Sequence, residues 1–122
     1  MIEILLANKL NSISPNVYAS KLPEKAAKPA AVYSVQGFKK HKELYKSRHY
    51  STNFQVNVFA DTYKQAKQLQ SQILDDFDEY DAVIELDGKK FSITTEVTNI
   101  VDLFNINANQ IAIDIQVEYI IS

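Results

Sequence analysis

TNFQVNVFADTYKQAKQLQSQILDDFDEY, residues 52–80, changes its period halfway along. Up to Val58 it alternates, with Phe54, Val56 and Val58 against Asn53, Gln55 and Asn57. That is the pattern of a strand with one face buried and one solvated, and Phe59 interrupts it at its end. After Asp61 the spacing becomes helical. Tyr63, Ala66, Leu69, Ile73, Phe77 and Tyr80 form an apolar stripe, and Thr62 followed three residues later by Gln65 matches a capping box. A strand that runs straight into an amphipathic helix predicts that the helix lies across a sheet.

Toward the C-terminus, Val83 to Leu86, Asp87-Gly88 and Lys89 to Ile93 read as a β-hairpin, because Asp-Gly supplies the positive φ angles of a tight primed turn. The returning strand puts Phe91, Ile93, Thr95 and Val97 on one side. From Gln110 to Ile121 the alternation is strict again, with Ile111, Ile113, Ile115, Val117, Tyr119 and Ile121 opposite Ala112, Asp114, Gln116 and Glu118. Such a strand extends roughly 40 Å and predicts the central member of a sheet.

Toward the N-terminus, Ile2, Leu5, Leu6 and Leu10 recur at spacings of three and four, predicting a short amphipathic helix over 2–11. Pro15, Pro23 and Pro29 disfavour helix just before them and mark a connecting loop. Ala30 to Gln36 reads as a strand with Ala31, Tyr33 and Val35 on one side. Residues 37–49, GFKKHKELYKSRH, are mostly polar without an apolar period and predict a long, mobile basic hairpin loop. The expectation is one α+β domain over 1–122: an antiparallel β-sheet with the N-terminal helix and a longer central helix packed on one face.

The composition suits a folded domain, with 46% hydrophobic and 23% charged residues and only two Gly and three Pro. With no Cys, disulfides, thiolate nucleophiles and Cys-ligated metals are excluded. No apolar run approaches the roughly 20 residues that span a bilayer, and the opening Met1 to Leu6 lacks a basic leader, so cytosolic synthesis is expected. The net charge of −2 conceals a division: residues 1–50 hold nine Lys or Arg against three acids, and residues 51–122 hold four against twelve. Such a division suits a basic segment that meets anions, two opposed surfaces that meet in an oligomer, or solvated faces.

The chain offers little to catalysis. His41 and His49 stand eight apart in the basic segment with only Glu43 as a nearby carboxylate, which is not a familiar ligand spacing. The two glycines, Gly37 and Gly88, open no helix, so a phosphate-binding loop is absent. The run Asp75, Asp76, Asp78, Glu79 and Asp81 lacks the central Gly and distal Glu of a calcium loop. The plain reading of the run is a solvated acidic face; acids at a helix C-terminus oppose the macrodipole, which also makes it a candidate acidic contact face for something basic. Its counterpart is the basic segment, where Lys39, Lys40, Lys42, Lys46 and Arg48 interleave with Phe38 and Tyr45. That segment reads either as a solvated loop that orders only at a subunit contact or as a contact for a nucleic-acid backbone. No catalytic residue, metal or cofactor is expected.

The order of segments also resembles a family. An N-terminal helix, then Val17-Tyr18, Leu22-Pro23 and Pro29 to Ser34, is similar to the opening of the tail terminator (tail completion) proteins of long-tailed phages and prophages. The resemblance continues through Phe54 to Tyr63, a strand running into the helix Ala66 to Leu74, and the long C-terminal strand. It implies a virion protein assembled in the bacterial cytoplasm, forming a homo-oligomeric ring, typically a hexamer. Such a ring caps the tail tube protein and joins it to the head connector or neck protein. It further implies that the 37–49 segment reaches a neighbouring subunit or the lumen, where it meets passing DNA passively. Neither a membrane nor a small-molecule substrate is implied. The other expectation is a small binding module that contacts nucleic acid or an acidic partner through the same basic segment.

Overall fold

The computed structural model describes residues 2–14, 16–41, 48–105 and 108–122. Its elements are α1 (Ile2–Asn11), β1 (Val17–Ala19), β2 (Ala30–His41), β3 (Arg48–Ala60), α2 (Tyr63–Phe77), β4 (Tyr80–Leu86), β5 (Lys89–Asn105) and β6 (Ala108–Ile121). The six strands form one sheet in the order β1-β2-β3-β6-β5-β4.

This corrects the expected α+β architecture. Strand accounts for 57% of the chain, the sheet is mixed and curled, and the two helices are short. It is not an antiparallel sheet with a longer central helix packed on a face. The mixing comes from β1, whose Val17–Ala19 pairs in parallel with Ala31–Tyr33. Three residues are too few to display an alternation, so the prolines around them hid the strand.

Much of the extra strand lies beyond two register irregularities. One falls between Gln36 and Phe38, where Gly37 takes φ 76°, and the other between Val97 and Asn99. A bulge inserts a residue, reverses the parity of the side chains beyond it and bends the strand, which helps to curl the sheet. Beyond Gly37, β2 carries on to His41, and β3 already begins at Arg48. Of the segment expected as a mobile loop, residues 37–41 and 48–49 are therefore strand, while 42–47 lie outside the described residues. Beyond Val97, β5 continues for another eight residues to Asn105. There Ile100 faces the core side opposite Ile113, but Val101 and Leu103 face outward.

The predicted faces recur in the structure. On the inner side Phe54, Val56 and Val58 of β3 meet Ile111, Ile113, Ile115 and Val117 of β6, all almost completely buried. β6 runs through the middle, paired along its length with β3 on one side and β5 on the other. Both helices contribute to the same core, α1 through Ile2, Leu6 and Leu10 and α2 through Ala66, Leu69, Ile73 and Phe77. Tyr63, counted in the predicted stripe, is instead exposed, and Tyr80 already belongs to β4.

Local chemistry fixes the ends of α2. Thr62 has extended φ/ψ and its Oγ1 accepts the Gln65 N–H at 3.2 Å, satisfying one orphan donor of the first turn. At the other end the buried Thr95 hydroxyl donates to the Phe77 carbonyl, and the Asp78 carboxylate accepts the Val97 N–H at 3.1 Å. Two side-chain bonds thus tie the helix end to β5 beside its bulge. Lys9 lays its ammonium 3.5 Å from the Tyr80 ring centroid and 5.5 Å from that of Phe77, joining α1 to the same junction. The β4–β5 turn is of the predicted primed kind, with φ 52° at Asp87 and 76° at Gly88.

Candidate functional site

Lys39, Lys40 and Arg48 lie at one end of the β2–β3 ribbon. Lys39 and Lys40 are in β2, opposite Ser51 and Tyr50, and Arg48 opens β3 opposite Ile121 of β6. Lys42 and Lys46 lie outside the described residues. Because β2 and β3 are hydrogen-bonded here, Lys39, Lys40 and Arg48 stand on a sheet rather than on a loop. Phe38 stacks on Tyr50 with centroids 5.3 Å apart, and Tyr50 in turn meets Tyr119 at 5.4 Å. An aromatic row therefore runs from the β2 edge into the core. Burial, with smaller contributions from Tyr50 and Glu3, raises the Tyr119 pKa above its ordinary value. His49 Nε2 lies 4.0 Å from a Glu118 carboxylate oxygen, so the basic end already has an acid facing it from β6.

The acidic run is divided by the fold. Asp75 and Asp76 ride the last turn of α2, Asp78 caps it, Glu79 sits in the turn with φ 51°, and Asp81 is in β4. Asp78 is occupied by the Val97 N–H, a structural role that the charge run in the sequence concealed. Asp81 instead belongs to an outward-facing row with Val83 and Glu85. Among the described residues no three His, Asp or Glu side chains are grouped so as to hold a metal ion. None of the helices described is long and apolar enough to cross a membrane.

The outer sheet face holds a network that the sequence read only as a solvated face. Gln36 Nε2 donates to Gln55 Oε1 at 3.1 Å, and Gln55 Nε2 donates to Asp114 Oδ1 at 3.0 Å. Asn57 Nδ2 donates to the same Gln55 oxygen at 3.3 Å and accepts at Oδ1 from Gln110 Nε2 at 3.2 Å. Polar side chains directly or diagonally opposite on adjacent strands reach in this way, so β2, β3 and β6 are cross-linked on the polar side too. Near the α2 N-terminus, Lys67 holds both Asp102 oxygens at 3.0 Å, and this bond raises the lysine pKa.

The inner face is incompletely covered beyond the N-terminus of α1. An open groove of about 290 Å³ lies there, lined by Ile2, Val35, Phe38, Phe91, Tyr119 and Ile121 among others. It contains none of the nucleophile–base arrangements that catalysis needs. Comparison with family models gives no match, and comparison with curated proteins gives no significant one. The described residues present two sheet flanks of unlike charge, an apolar groove and a cross-linked polar face.

Proposed function

We propose that the chain is a structural virion-assembly protein resembling a phage tail terminator. In this reading it forms a ring, typically of six copies, that caps the tail tube and joins it to the head connector, acting by geometry without chemistry. The observation that carries the reading is the placement of unlike charge on opposite flanks of one sheet. The basic first 50 residues supply α1, β1, β2 and the start of β3, and the acidic remainder supplies β4, β5 and β6. Surfaces of opposite sign on opposite sides of a subunit favour head-to-tail contact, and such a contact closes into a ring when the rotation allows. The order of segments described above adds family resemblance to this argument.

The test is the mass in solution by light scattering over a concentration series at low and moderate salt, with electron microscopy of the largest species. A closed particle of about six subunits is expected. A strict monomer at every concentration, or an open-ended series without rings, overturns the proposal.

One observation favours a second reading. The stacked Phe38 and Tyr50 rings lie among Lys39, Lys40 and Arg48, and aromatic faces between cations suit a nucleic-acid strand. In that case binding to single-stranded DNA weakens steeply as salt rises, with a slope that falls for Lys39→Ala and Lys40→Ala. Absence of binding at low salt removes this reading.

A further inference from the structure

We infer that the two outer flanks of the sheet pair with each other between copies of this chain, the free length of β2 in one molecule lying alongside β4 of the next. The ring reading bears only on whether such an assembly closes; the pairing itself does not require it.

Both strands have an unused edge. β1 covers β2 only at Ala31–Tyr33, so residues 34–41 have no strand on that side among the described residues. Among the described residues β4 pairs with β5 alone and ends the sheet. An edge of this kind presents a row of backbone donors and acceptors ready for another strand. The two lengths agree, eight residues on β2 against the seven of β4.

The side chains agree as well. On the inner face β2 presents Val35 and Phe38, the latter 66% exposed, and β4 presents the half-buried Ala82 and Ile84. Joining the strands places apolar beside apolar and extends the common core over the open groove. On the outer face β4 carries Asp81 and Glu85 around Val83, which is 67% exposed. The basic end of β2 carries Lys39 on this outer face, while Lys40, opposite the inward Tyr50, closes the inner row beyond Phe38.

Lysines on an edge ordinarily blunt it against pairing. Acids on the opposite edge turn that blunting into selection: β2 repels β2, β4 repels β4, and only the unlike edges attract. The occupant is therefore a second copy. Direction follows from the topology. β2, β3, β6, β5 and β4 are successively antiparallel, so β2 and β4 point the same way. A neighbour that continues the sheet with the same face inward thus brings β4 parallel to β2, a heterologous contact.

The experiment uses two double variants of the full chain, Lys39→Glu with Lys40→Glu and Asp81→Lys with Glu85→Lys, in light scattering beside the wild type. Circular dichroism checks that each variant is folded. The wild type is expected to self-associate, and each variant to need at least roughly tenfold more protein to do so, since like charges then face one another. An equal mixture is expected to associate again, with the two variants in equal proportion, because each cross-contact restores opposite charge. A wild type that stays monomeric, a variant that associates at wild-type concentration, or a mixture that is not rescued overturns the pairing. Open chains in the wild type with sensitive variants would sink the ring and keep the pairing. Rings that persist in both variants would do the reverse.

Discussion

In β6 the side chains of Ile111, Ile113, Ile115 and Val117 are at most 2% exposed, and both sides of the strand are hydrogen-bonded. In β4 the core-facing Ala82 and Ile84 are only half-buried, and Val83 on the other face stands in solvent. The two strands differ little in amino-acid pattern. What separates them is rank in the sheet: β6 has two neighbours and helices over its inner face, while β4 has one neighbour. Burial is therefore set by neighbours, and alternation alone records which way a side chain points. The flank strands keep apolar surface and backbone groups that the centre has used.

The largest expected effect tests this division directly. Ile113→Ala leaves a cavity in a region closed on all sides and should lower the free energy of unfolding by about 2–5 kcal/mol. Ile84→Ala, already half in water, should cost only about 1 kcal/mol. Denaturant unfolding of the two variants measures the difference, and equal losses would break the comparison. Thr95→Val should come next. The buried Thr95 hydroxyl satisfies the Phe77 carbonyl, so removing it leaves that acceptor unpaired at a cost of about 1–3 kcal/mol. Smaller again is Thr62→Ala, which removes the N-cap of α2 and should cost about 1 kcal/mol in the same assay.

The features legible in the sequence share a short range. The α1 span, the Thr62 cap, the Asp87-Gly88 turn and the faces of β3 and β6 each depend on residues within a few positions of one another. The fold class was misjudged where strands broke their own pattern. The irregularities at Gly37 and near Val97 reverse parity, so Phe38-Lys39-Lys40 looked like loop and Asn99 to Asn105 like nothing in particular. A glycine directly after a strand-like run was the available signal for the first. The second had none, because Asp102 on the inner side is explained only by Lys67, 35 residues away on α2. The candidate charges were visible as residues, but the sequence did not separate them by role. Asp78 turns out to hold a backbone amide of β5, whereas Asp81 lies on the flank, and nothing local distinguishes the two.

The smallest effect on the isolated chain belongs to the flank, and it separates folding from association most cleanly. Asp81→Lys with Glu85→Lys changes exposed side chains on a strand with one neighbour, so the dilute variant should unfold within about 0.5 kcal/mol of the wild type. Concentration should then distinguish them. If β4 accepts β2 of another copy, association stabilises the native wild-type chain by mass action, and its melting temperature rises with protein concentration. The variant, with lysines facing Lys39 and Lys40, should melt at nearly the same temperature throughout the series. Thermal unfolding at several concentrations gives both quantities from one set of samples. Coincident, concentration-independent curves would mean that the flank is simply solvated. A variant already less stable at high dilution would mean that Asp81 and Glu85 support the subunit itself, and the contrast between a closed centre and open flanks would have to be redrawn with β4 inside the folding unit.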